Sequence, residues 1–242
     1  EEACRLIDVD NFIDYQLFEI FINNEDWPAN NMRCWQYFMG KWRWIFYDGD
    51  AALKHLEWDG FAYATYDGDE EHPASRISTL LFRKLLENPV FQKRVVERYN
   101  DLCHRILSYY STKPYLDAAV DAIQQEIPLQ IDRFHFPDTH KKWCADVKEM
   151  DEFLRKRPAQ AIAEMLKYIS VKEDVGELSM YPNPTSGEVT VSVTVADPGI
   201  RTLCVYDMGG RMVYSCLLYC EEGQSQCFKQ LPLPAGTYVV RV

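Results

Sequence analysis

Asn23-Asn24-Glu25-Asp26-Trp27-Pro28-Ala29-Asn30-Asn31 runs directly into Met32-Arg33-Cys34-Trp35-Gln36-Tyr37-Phe38. A short Met39-Gly40-Lys41 break, then Trp42-Arg43-Trp44-Ile45-Phe46-Tyr47, leads to Asp48-Gly49-Asp50. Aromatic and β-branched residues on both sides of a Gly-containing break predict a β-hairpin over 31–47. With the turn near Gly40, antiparallel pairing sets Asn31 opposite Asp48 or Gly49, and opposed side chains lie about 5 Å apart. One end of the ribbon therefore gathers Asp26, Asn31, Asp48 and Asp50 into an acidic cluster, the candidate active site. Asp and Asn also cap helices and form Asx-turns, so the cluster alone leaves a purely local role open.

Asp26 and Asn31 stand five positions apart, the spacing of the Asp and Asn in the catalytic loop H-R-D-x-x-x-x-N of protein kinases. There the Asp meets the acceptor hydroxyl, the Asn holds a magnesium ion, and a further Asp beyond a hairpin holds the metals. Such chemistry needs this mix because Mg²⁺ takes hard oxygen ligands and bridges phosphate oxygens. Here Asn24-Glu25 stands where that motif has His-Arg, Asp48-Gly49-Asp50 stands in place of Asp-Phe-Gly, and Ala51-Ala52 follows.

Upstream of the cluster, Asp10 to Asn23 predicts a helix with Phe12, Ile13, Leu17, Ile20 and Phe21 on or near one face. Downstream, residues 51–74 carry little periodicity, and the acidic run Asp67-Gly68-Asp69-Glu70-Glu71 reads as a solvated loop. An EF-hand there would need Gly at its sixth and Glu at its twelfth position, where His72 and Ser78 stand. Then come helices: one with Leu81, Phe82, Leu85 and Leu86, capped by Ser75 or Ser78; a second opened by Asn88-Pro89, with Phe91, Val95, Tyr99, Leu102, Ile106 and Tyr110. A third starts at Thr112 with Leu116, Ala119, Val120, Ile123 and Ile127 and stops at Pro128; a fourth starts near Thr139 with Trp143, Val147, Met150 and Leu154; a fifth opens at Pro158. These stripes are expected to be core. Arg76, Arg83 and Arg133 are within reach of a phosphate role, though nothing in the sequence separates them from ordinary surface arginines.

The 242 residues suit one large domain or two smaller ones. A net charge of −11 argues against a nucleic-acid partner, and no apolar run is long enough to span a membrane. The start at Glu1-Glu2-Ala3, with no initiator Met, reads as a fragment or a processed end. Eight cysteines form no C-x-x-C pair. Cys34 and Cys103, on apolar or aromatic runs, are expected to be buried thiols, whereas Cys216, Cys220 and Cys227 are free to pair in an oxidising compartment. The five histidines lack metal-ligand spacing, His135 and His140 included.

A polar, aperiodic stretch at 171–177 separates this helical part from a tail with period two. Glu188 to Val195 alternates cleanly; Arg201–Tyr206 and Arg211–Tyr219 follow, joined by Asp207-Met208-Gly209-Gly210; Gly236–Val242 closes the chain. Short strands at this spacing suggest a small β-sandwich.

Two resemblances follow from these stretches. Val9-Asp10-Asn11-Phe12-Ile13-Asp14-Tyr15, Asn24 to Asn31, Gly40 to Asp50, Leu81 to Phe91 and Phe153-Leu154-Arg155-Lys156-Arg157-Pro158 resemble, in order, the spore-coat kinase-like (CotH) family over roughly residues 6–168. That resemblance implies an atypical, secreted protein kinase using Mg²⁺ (or Mn²⁺) and ATP on a protein acceptor, with Asp26 catalytic and Asn31, Asp48 and Asp50 as metal ligands. Tyr181-Pro182-Asn183-Pro184-Thr185-Ser186-Gly187, Val205 to Arg211 and Leu233 to Val242 resemble the C-terminal sorting domain of the type IX secretion system of Bacteroidetes. It implies export across the outer membrane to the surface or the medium, with that secretion machinery as partner through residues 178–242.

The expected architecture is α+β: a helical, kinase-like C-terminal lobe over 1–170 with a β-hairpin at the active site, a linker at 171–177, and a small all-β, Ig-like sandwich over 178–242. No Gly-rich loop or strand lysine for the triphosphate precedes Asp26, so the isolated chain is expected to show little or no phosphotransfer. The alternative is a non-catalytic, surface-displayed pseudokinase or metal-binding adhesion module. A metal-dependent hydrolase ranks last, for want of a water-activating His.

Overall fold

Asp8 and Asn23 bracket the helix on which the first part of the chain is built. A computed structural model describes residues 2–68, 76–169, 176–186 and 188–242; in it α1 spans Glu2–Leu6 and α2 spans Val9–Ile22. Asp8 caps α2 by accepting from the Asn11 amide at 3.2 Å, and Asn23 ends it in the left-handed conformation at φ 49°, which Asn adopts more readily than most residues. The helix predicted over 10–23 is therefore present. Its burial is broader than one stripe: Phe12, Tyr15, Leu17, Ile20, Phe21 and Ile22 are covered, and so are Gln16 and Glu19.

The hairpin is present but shorter than predicted. β1 spans Arg33–Trp35 and β2 spans Arg43–Ile45, with Cys34 opposite Trp44. Extending that register levels Asn31 with Tyr47, one or two positions short of the expected Asp48 or Gly49. The longer connection arises because Phe38 sits at φ 51° and Gln36 Nε2 donates to the Gly40 carbonyl at 2.7 Å, closing residues 36–40 on themselves. Asn11 anchors the ribbon to α2: it accepts from the Trp44 amide at 2.6 Å and donates to the Trp44 carbonyl at 3.2 Å. Phe12 meets Trp44 at 4.6 Å between ring centroids, and Phe18 meets Phe46 at 4.9 Å. All three β1 residues remain exposed, which corrects the expected burial of Cys34; Cys103 is buried as expected.

The remaining helices are α3 Gly60–Ala64, α4 Leu80–Leu86, α5 Pro89–His104, α6 Tyr109–Ile123, α7 Ile127–Phe134 and α8 His140–Tyr168. Asn88 caps α5 by accepting from the Val90 and Phe91 amides, and Thr139 caps α8 through the Lys142 amide. Three expectations are corrected. The break at Pro158 does not occur: α8 runs through it, because Phe153, Leu154 and Arg157 before the proline and Ala161, Glu164 and Met165 after it are all buried. That packing outweighs the lost backbone bond. The stripe on α6 is not core, since α6 has no buried residue; periodicity groups residues on a face without specifying what covers it. Likewise Ile106 and Tyr110 are exposed. Ser75 lies outside the described residues, as do 69–71 of the acidic run and 171–175 of the linker.

In the tail, β3 Leu178–Tyr181, β4 Glu188–Val195 and β7 Gly223–Gln230 form one antiparallel sheet in the order β3-β4-β7, with β5 Gly199–Asp207, β6 Met212–Cys220 and β8 Tyr238–Arg241 forming a second in the order β6-β5-β8. Val189, Val191, Val193 and Val195 from the first sheet share one apolar cluster with Leu203, Cys216, Leu218 and Cys220 from the second. The predicted turn at 207–210 is formed, with Asp207 Oδ1 accepting from the Gly209 and Arg211 amides and Gly210 at φ 79°. β3 and β7 were not predicted; Gln224, Ser225, Gln226 and Lys229 hide the latter's alternation. By compactness the chain divides into Glu1–Leu85 with Asp101–Met165, and Leu86–Asn100 with Leu166–Val242.

Asp59 caps α3, its carboxylate accepting from the Ala62 amide at 2.9 Å. A Cβ at Gly60 would lie 2.6 Å from both the Ile20 carbonyl and Asn23 Oδ1. Gly60→Ala is therefore expected to destabilise the protein by about 1–3 kcal/mol through overpacking against backbone, measured by urea unfolding.

Candidate active site

The loop after α2 is fixed by bonds that its own asparagines make. Asn23 Nδ2 donates to the His55 and Trp58 carbonyls, each at 3.1 Å. Asn24 Nδ2 donates to Glu19 Oε2 at 2.9 Å, and Asn24 Oδ1 accepts from the Asp26 amide at 3.3 Å, an Asx-turn that ends on the exposed Asp26. The Asn30 amide closes the loop on the Asp26 carbonyl at 2.8 Å, with Trp27 buried beneath it. The Glu25 amide donates to the Ala51 carbonyl at 3.3 Å, so Ala51-Ala52 ties the two acidic loops together.

All four predicted residues meet at one end of the ribbon. Asn31 Nδ2 donates to Asp26 Oδ2 at 3.4 Å and to the Asp48 carbonyl at 3.3 Å. The Asp48 carboxyl is held above its ordinary range, first by the charge of Asp50, then by partial desolvation, a bond to Asp50 and the charge of Asp26. Asn31 and Asp48 both lie in left-handed backbone, at φ 52° and 58°, conformations that need support from their surroundings. Tyr63 stands close by: burial, then the charges of Asp26 and Glu25, raise its phenol, and its hydroxyl donates to the Glu25 carbonyl at 3.3 Å.

Among the described residues, no group of three or more His, Cys, Asp or Glu side chains is arranged to hold a metal ion on its own. The set here is of another kind, two carboxylates (Asp48, Asp50) and the carboxamide oxygen of Asn31. It supplies hard oxygens and mutually repelling charges, which fits Mg²⁺ or Mn²⁺, since magnesium commonly takes one or two carboxylates and completes its shell with water and substrate phosphate. Of the three arginines considered for phosphate, Arg76 and Arg83 pair with Asp67 at 3.3 and 2.9 Å, and Arg133 lies over the Phe134 ring.

With this geometry in view, comparison with known proteins is decisive on family. The chain belongs to the CotH kinase protein family. The family model matches residues 1–160, and a second, the secretion system C-terminal sorting domain, matches residues 179–242. No curated protein and no solved structure matches the chain. This CotH chain is thus kinase-like, and its sorting tail implies handling by the type IX secretion machinery and export. Among the described residues no helix is long and apolar enough to cross a membrane.

A buried polar layer lies behind the loop, and its residues carry little mark of burial in the sequence. Arg157 sits in Arg155-Lys156-Arg157, which looks solvated, yet it is fully buried; its phase with Phe153, Ala161 and Met165 was the available signal. Glu19, one turn before the helix end, is also fully buried. Burial pushes its carboxyl up to about 7, with the Asn24 amide and the Tyr15 hydroxyl pulling it partly back. An acid whose folded pKa lies above its unfolded one stabilises the protein fully below the unfolded value and loses that contribution as pH rises to the folded value. Stability is therefore expected to fall between about pH 4.5 and pH 7, and Glu19→Gln, which mimics the protonated acid, is expected to abolish up to roughly 3 kcal/mol of that decline. Urea melts of parent and variant at pH 5 and pH 8 check it.

Proposed function

We propose that the acidic end of the ribbon is the phosphotransfer site of an exported protein kinase that moves phosphate from Mg²⁺–ATP to a protein serine or threonine. The observation that carries this reading is the bond from Asn31 Nδ2 to Asp26 Oδ2, made beside the Asp48 and Asp50 carboxyls. On this reading Asp26, held by its Asx-turn, uses its remaining oxygen to orient the acceptor hydroxyl and take its proton. Asn31 holds Asp26 in place and turns its carboxamide oxygen, with Asp48 and Asp50, toward the cation. Those three residues would hold Mg²⁺, which would supply positive charge to neutralise the phosphate during transfer. The helical unit then corresponds to a kinase-like C-terminal lobe, and the two tail sheets, which share one core, to an Ig-like sandwich that serves export.

A second reading, a surface-displayed pseudokinase holding the cation structurally, is favoured by the departure from Asp-Phe-Gly at Asp48-Gly49-Asp50 and by the Ala51-Ala52 that follows it.

Phosphotransfer from γ-labelled ATP by the gene product that contains this chain, with Mg²⁺ or Mn²⁺, separates the two. Label incorporation is expected in the parent and to fall by on the order of 100-fold or more in Asp26→Asn. A folded parent that binds the cation but incorporates no label would establish the pseudokinase.

A further inference from the structure

We infer that Arg157 is a positioning residue for Asp26, acting through the C-terminal end of α2; the inference rests on Asp26 being the catalytic carboxylate. The last carbonyls of a helix have no partner within it, and a cation there also meets the negative end of the helix dipole. Arg157 supplies both. Its Nε donates to the Phe21 carbonyl and its Nη2 to the Ile20 carbonyl, each at 2.7 Å, while Nη1 pairs with Glu164 Oε1 at 2.7 Å. The guanidinium is fully buried and the Glu164 side chain is 3% exposed. Gln160 Nε2 donates to the same Glu164 oxygen at 3.0 Å and also to the Leu56 carbonyl, extending the grip to the segment before α3.

Stability alone does not account for this group, because apolar residues of similar volume commonly replace a buried ion pair at little or no cost. What the fork adds is a fixed place for two carbonyls. From Phe21 the chain passes through the left-handed Asn23 and the Asx-turn of Asn24 to Asp26. Gly60 presses on the same point: a Cβ there would come within 2.6 Å of the Ile20 carbonyl and 3.1 Å of Arg157 Nη2. The end of α2, the start of α3 and α8 therefore share one anchor, and the Asp26 loop is the first segment to leave it.

The test uses the full chain as Arg157→Lys and as Arg157→Met/Glu164→Met, the double variant removing the Glu164 carboxylate that loss of Arg157 alone would leave buried without its cation. Folding is checked by circular dichroism, and activity is expressed per folded molecule. In the double variant the amides of Asn24, Asp26 and Asn30 are expected to exchange hydrogen about tenfold faster or more, with those of β4–β6 unchanged. In the gene product containing the chain, kcat is expected to drop about tenfold with KM for ATP within about twofold, and Arg157→Lys to recover part of both losses. Parent-like exchange in a folded double variant would overturn the inference. So would faster exchange with parent-like kcat, which would make Arg157 a structural anchor only. If the parent transfers no phosphate, the kinase reading fails, while the exchange data still decide whether Arg157 holds the loop.

Discussion

A guanidinium buried under the end of one helix is the constraint from which the rest of the candidate site follows. α2 is covered on nearly all sides, so its direction is set by packing, but packing alone leaves a helix end free to fray. Arg157 removes that freedom by binding the two carbonyls where α2 stops. Asn23 then turns the chain, Asn24 fixes the turn from both ends of its side chain, and Asp26 emerges at one place relative to the hairpin. Asn11 does the corresponding work at the other end of α2 by holding both backbone groups of Trp44. The hairpin, though mostly exposed and only three residues deep per strand, is thereby registered against the same helix that delivers the loop.

The cluster this creates is electrostatically unfavourable by itself. Asp48 is pushed toward its protonated form by Asp50 and Asp26, and two of the four residues sit in left-handed backbone. Like charges and strained backbone brought together by a stable scaffold are common at ion-binding and catalytic sites. The polar layer beneath, with Glu19, Asn24 and Arg157 all buried, supplies the rigidity that such an arrangement needs.

How much of this was legible in the sequence differs by kind of interaction. α2, its loop, the existence of the hairpin and the meeting of Asp26, Asn31, Asp48 and Asp50 could be read, because each depends on neighbours a few residues apart or on one turn. The register was off by one or two positions and the strands too long, since the conformation of Phe38 and the Gln36 bond inside the connection left no trace in composition. Arg157 was hidden by its charged neighbours; its partners Ile20 and Phe21 lie more than 130 positions away. The α6 stripe failed for the opposite reason, because nothing local tells an apolar face whether another element covers it. In the tail, the alternation of β4 was plain, whereas that of β7 is hidden by its Gln, Ser and Lys residues, with Cys227 against the core.

The most direct test of the account is Mn²⁺ binding followed by electron paramagnetic resonance, with a non-hydrolysable ATP analogue present, in the parent, Asp48→Asn and the remote control Asp138→Asn. Binding is expected in the parent and the control, with an affinity about tenfold weaker or more in Asp48→Asn. Equal Mn²⁺ affinity in all three proteins would contradict the placement of a metal–nucleotide site at the end of the ribbon.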